Sequence, residues 1–210
     1  MAVSIYLRHP FTMLIAGPTG SGKTVWVQRL LENPENCSDP APTSITYCYG
    51  EYKPIFSTFK NTTFIHGLPD ELMAKFDEVI PRWLVIDDLM LETASSKMIS
   101  EIFTKGSHHR NLSIILIVQN LFMRGSESRN ISLNSQYMVV FKNPRDQSIA
   151  TNIARQMFPN KTQKFQQIYE NATKKPFNYL FIDLKAHTHM NVRLLTSVLG
   201  EKDYMMSYLL

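Results

Sequence analysis

Along the chain, short apolar runs alternate with stretches in which apolar residues return every third or fourth position. The runs FTMLIAG from Phe11, SITYCYG from Ser44, TTFIH from Thr62, WLVID from Trp83, SIILIV from Ser113, QYMVVF from Gln136 and YLFIDL from Tyr179 have the length and content of strands. Helical spacing fills the intervals. Val27, Leu30 and Leu31 mark one helix, which must stop before Pro34. Ile149, Ala150, Ile153, Ala154 and Met157 mark another, with Asp146 as its expected N-cap and Pro159 beyond it. Phe165, Ile168, Tyr169 and Ala172 mark a third, starting at Thr162. Strands alternating with helices predict an α/β fold, a mainly parallel twisted sheet with helices on both faces. No repeat, low-complexity tract or linker divides the 210 residues, so a single domain spanning 1–210 is expected.

The longest unbroken apolar run, Ile114 to Val118, is far shorter than the ~20 residues of a membrane span. The start, MAVSIYLRHPF, lacks the pattern of a secretory signal, and Cys37 and Cys48, the only cysteines, have no metal-ligand spacing. An intracellular protein with reduced thiols and no membrane partner is expected. The net charge of +4 is unevenly spread: residues 1–100 hold 8 Lys/Arg against 11 Asp/Glu, and residues 101–210 hold 14 against 7. A second half at net +7 fits a polyanion-binding face as well as it fits lysines on solvated helices.

The chemistry starts at Gly17, Pro18, Thr19, Gly20, Ser21, Gly22, Lys23 and Thr24, which satisfy G-x-x-x-x-G-K-[ST] between a predicted strand and a predicted helix. Glycines let consecutive backbone N–H groups face phosphates, and the helix N-terminus adds positive potential. The pattern assigns Lys23 to the β- and γ-phosphates of ATP and the Thr24 hydroxyl to Mg²⁺. A carboxylate for the metal is expected at the tip of WLVIDD, where Asp87 is the metal ligand. Asp88 is the group that aligns or deprotonates the attacking water. Gln119, which ends the strand SIILIVQN, can hydrogen-bond both a γ-phosphate and that water. Arg110 enters this strand from its far end and is the candidate arginine finger toward a neighbouring subunit, with Arg124 and Arg129 as rivals; each is equally compatible with solvent or a DNA phosphate. His108 and His109, adjacent and without a third ligand, give no zinc site.

These residues, GPTGSGKT, VIDDLM, FTKGSHHRNLSIILIVQNLF and SRNISLNSQYMVVFKNPRD, together resemble the FtsK-HerA superfamily of P-loop ATPases, over residues 8 to about 158. Within it they are most similar to the DNA-packaging ATPases of Polinton or Maverick elements and related double-stranded DNA viruses, cousins of the poxvirus enzyme. The resemblance implies a P-loop NTPase fold of the RecA-like (ASCE) type, with strands inserted beside the glycine-loop strand. It also implies a homo-oligomeric ring of hexamer or pentamer size and ATP-driven translocation of double-stranded DNA into a capsid, in a host nucleus or cytoplasm or with the virion. Capsid proteins are then partners. Many relatives carry Glu where this chain has Asp88, which is one methylene shorter. The alternatives are a helicase or replication initiator, whose fourth strand usually ends in Asn, Ser or Thr rather than Gln119, and a small-molecule kinase, for which an arginine-rich lid is lacking. A nucleotide-gated module without turnover would not need Asp87, Asp88 and Gln119 together.

Overall fold

The computed structural model describes residues 5–69, 79–89, 99–101, 103–104, 111–121, 126–200 and 204–210. Each predicted apolar run is a strand: β2 (Thr12–Ala16), β4 (Ser44–Tyr49), β5 (Thr62–His66), β6 (Arg82–Asp87), β7 (Leu112–Val118), β8 (Tyr137–Phe141) and β9 (Tyr179–Asp183). They join β10 (Leu194–Thr196) and β11 (Met206–Tyr208) in a nine-stranded sheet of order β11-β10-β9-β8-β2-β7-β6-β4-β5. From β8 to β5 all neighbours are parallel, whereas β9, β10 and β11 pair antiparallel. Separately, β1 (Leu7–Arg8) and β3 (Ser38–Asp39) form a two-stranded parallel pair.

Burial explains why these runs are strands. Central β2, β7 and β8 are buried at every position, as expected of parallel strands covered on both faces, while edge β5 has none fully buried. Side chains alternate between two cores. Met13, Ile15, Val85, Ile115 and Val139 pack with Trp26, Val27 and Leu30 of α1 (Lys23–Glu32). Leu14, Leu84, Leu116 and Val140 pack with Ile131 of α2 (Ser126–Asn134), with Ile149 and Ile153 of α3 (Ser148–Met157), and with Phe165 and Ile168 of α4 (Thr162–Ala172). Each fully buried side chain of this size contributes about 1.5–3 kcal/mol. No helix among the described residues is long and apolar enough to cross a membrane.

One boundary is corrected. The N-cap position of α3 is Gln147, not Asp146, and Gln147 makes no side-chain cap. Asp146 lies one residue further out, yet its Oδ1 accepts hydrogen bonds from the Ser148 backbone N–H (3.1 Å) and hydroxyl (2.6 Å). It thus still satisfies a donor of the first helical turn. Met157, expected inward, is only partly buried against the same core.

Two features of the sheet position the site. First, β7 lies between β2 and β6 in register, with Ala16 opposite Val118 and Asp87 opposite Ile117, so these strand tips end along one rim. Second, β9 runs against β8 with Tyr179 opposite Phe141, so the segment entering β9 reaches that same rim.

Candidate nucleotide site

The turn from β2 into α1 is tight. A Cβ on Gly17 would stand 2.7 Å from both the Phe141 Cβ and the Ser21 Oγ, so only glycine fits. Gly20 (φ 77°) and Gly22 (φ 102°) are left-handed, a backbone conformation in which successive N–H groups can face one anion. Gly22 is the N-cap of α1, with no side-chain cap and no acidic residue in the first turn. The helix therefore presents uncapped donors and its positive end, the arrangement that receives a phosphate. Lys23 donates to the carbonyls of Gly17 (2.5 Å) and Pro18 (2.9 Å), folding its ammonium over the loop. Burial pulls the Lys23 pKa below its ordinary value, and the charge of Asp87 opposes that shift. Pro18, Thr19 and Thr24 complete the loop; Thr19 and Thr24 line the same cavity as Lys23.

Across the rim, Asp87 is 3% exposed. Its Oδ2 accepts from Lys53 Nζ (2.6 Å) and from the Tyr47 hydroxyl (2.9 Å). Burial, reinforced by the Asp87 charge, drives the Tyr47 pKa far up, so Tyr47 remains a neutral donor. A buried carboxylate and a helix-terminal hydroxyl are oxygen donors of the kind a hard divalent cation takes. Asp87 and Thr24 line one cavity, and Ser21 Oγ is buried with no hydrogen-bond partner among the described residues. These groups fit Mg²⁺.

Asp88 follows the strand at φ 59°, a left-handed conformation, and it is exposed. Its Oδ2 accepts from Gln119 Nε2 at 2.6 Å. The tips of β6 and β7 thus carry a carboxylate and an amide in direct contact, both lining the cavity that holds the glycine loop. That cavity measures about 900 Å³, within the range of a whole nucleotide.

Every glycine-loop residue, Asp87, Asp88 and Gln119 therefore meet at one rim. Arg110 and Arg124, like His108 and His109, lie outside the described residues, and Arg129 is exposed on α2. Sequence reasoning missed Lys53 and Tyr47. Lys53 follows β4, and the run SITYCYG does not say that β4 lies beside β6; only the strand order places the loop after β4 next to Asp87.

A glycine loop joining a central strand to an uncapped helix, with a further strand between it and a strand ending in carboxylates, is the P-loop NTPase fold, in its additional-strand form. No protein-family model matches the chain, and no curated protein does. Among solved structures, the cytoplasmic domain of the Thermomonospora curvata type VII secretion ATPase EccC matches 85% of this chain with a TM-score of 0.56 at 13% identity, using 24% of its own length. That likeness is one of fold. EssC (ATPases 2 and 3) from Geobacillus thermodenitrificans and the P4 protein from bacteriophage phi13 give TM-scores of 0.43 and 0.38 at 14% and 15% identity, over 62% and 63% of this chain. This chain spans 24%, 29% and 52% of the three structures respectively.

Proposed function

We propose that the chain is a Mg²⁺-dependent ATPase that works as a ring-shaped motor on double-stranded DNA and packages a viral or virus-like genome into a capsid inside the host cell. The observation that carries hydrolysis is the Asp88–Gln119 pair, a carboxylate and an amide 2.6 Å apart at the rim of the phosphate loop. A kinase site transfers phosphate to an acceptor and has no need to position water there. DNA as the track is supported by the net +7 of residues 101–210, 14 Lys/Arg against 7 Asp/Glu. It is also supported by the resemblance of the 103–122 segment to packaging ATPases. The EccC likeness in fold is compatible with a motor.

In this reading the loop N–H groups and the α1 terminus bind the phosphates, and Lys23 exchanges its carbonyl partners for β- and γ-phosphate oxygens. Thr24 and Asp87 would hold Mg²⁺, which would supply positive charge to the phosphate oxygens. Gln119 orients a water in line with the γ-phosphorus, and Asp88 accepts the water's proton. The new P–O bond forms as the bond to the β-γ bridging oxygen breaks, leaving ADP and phosphate. The deciding experiment measures phosphate release with and without duplex DNA. Stimulation by duplex of any sequence, weakening steeply with salt, is expected. Turnover without phosphate release to water, or indifference to DNA, would remove the motor.

A further inference from the structure

The cavity extends past the phosphate loop to the antiparallel end of the sheet, where Phe177, Asn178, Thr196 and Ser197 line it. The topology brings them there. Antiparallel β9 begins at the rim where parallel β8 ends, and β10, antiparallel to β9, finishes at that rim too.

Phe177 stands out. Asn178 N–H donates to Lys175 C=O (3.2 Å), closing a turn with Pro176 at its second position and Phe177 at its third, at φ 64°. Proline then a left-handed residue is the type II pattern, whose third position glycine or asparagine takes by preference. A phenylalanine there costs backbone strain, and the residue is 70% exposed, which costs solvation as well. The ring has no aromatic partner among the described residues; at the loop, a Cβ on Gly22 would meet Phe177 Cδ1 at 3.3 Å. A second left-handed residue, Ser197 at φ 56°, borders the same space. Strained residues concentrated where a ligand is clamped are a recurring mark of binding sites.

We infer that this end of the cavity is the subsite for the base of the nucleotide, with the exposed Phe177 ring as its stacking platform and Asn178 and Ser197 supplying polar contacts at the base edge. The inference rests on the phosphate-binding reading of the glycine loop. A flat aromatic base matches a flat exposed ring beside the loop, and an amide and a hydroxyl can each donate and accept.

The test is calorimetric titration of the full chain with Mg-ATP and with Mg-tripolyphosphate, which has the phosphates but no base. Phe177→Gly relieves the turn and deletes the ring. It is expected to weaken ATP binding about ten- to a hundredfold while leaving tripolyphosphate affinity unchanged and thermal stability no lower. Phe177→Trp, which restores a stacking surface, should recover ATP affinity. Wild-type-like ATP binding by Phe177→Gly, or an equal loss for both ligands, would overturn the subsite, the latter by showing that the ring only props Gly22. If the unmodified chain binds tripolyphosphate as tightly as ATP, the subsite alone falls; if it binds neither, the phosphate reading falls with it.

Discussion

Asp87 and Asp88 are adjacent and live in different surroundings. One is buried between a lysine and a tyrosine hydroxyl, and the other is exposed and meets an amide. The two should therefore fail differently. Asp88→Asn keeps the Gln119 contact within reach but cannot accept a proton, so nucleotide binding is expected to persist while turnover collapses in single-turnover assays. Lost affinity with normal saturated turnover would reverse the two roles. Lys53→Met removes the cation bonded to a buried carboxylate and leaves it the Tyr47 hydrogen bond, which should lower stability by about 1–3 kcal/mol in urea titrations. Adding Asp87→Asn should return most of that loss, because no charge is left uncompensated. Equal losses in single and double variants would show that Lys53 matters only through its packing. Gly17→Ala forces a methyl into contacts of 2.7 Å, with an expected cost of about 1–3 kcal/mol, visible as a lower melting temperature.

At the scale of elements, the entry of β2 is tied to β7 by a histidine. His9 Nε2 donates to the Asn111 carbonyl (3.1 Å) and Oδ1 (2.9 Å), which fixes the proton on Nε2. Nδ1 then accepts from Ser113 Oγ (2.6 Å), and that oxygen accepts from Phe11 N–H (3.0 Å). Burial holds the His9 pKa below its ordinary value against the opposing Asn111 hydrogen bonds. With the folded value depressed, the unfolded chain binds more protons in acid. Stability should fall as pH drops through the unfolded value near 6.5 and level off below the folded one. His9→Gln should flatten that slope in denaturant midpoints measured from about pH 7.5 to about pH 5. Long apolar runs made the central strands legible, because β2, β7 and β8 are buried on both faces and leave no polar alternation to misread. Strands β10 and β11, three residues each, carry too little pattern to stand out. The glycine loop, Asp87, Asp88 and Gln119 were legible because their chemistry follows from residue type at a strand end. The places of Lys53, Tyr47 and Phe177 at the rim were not, because they depend on which strands are neighbours.

For the whole molecule, the arginine finger expected at Arg110, which lies outside the described residues, bears on assembly. If it acts on a neighbour, Arg110→Ala should cut hydrolysis by about 10³- to 10⁵-fold at unchanged nucleotide affinity. Mixing it with Lys23→Ala should restore part of the rate, since each supplies what the other lacks at one kind of subunit boundary. Full activity of Arg110→Ala alone would move the role to Arg124 or Arg129. The strand β7, inserted between β2 and β6, has a quieter effect. Two inter-strand spacings set the tips of β2 and β6 about 10 Å apart, a gauge cut by backbone hydrogen bonds rather than by side chains. Thinning the core beneath it, as in Ile117→Val, should cost about 1 kcal/mol of stability yet leave KM for ATP where it was, because the gauge keeps its length when its padding is shaved.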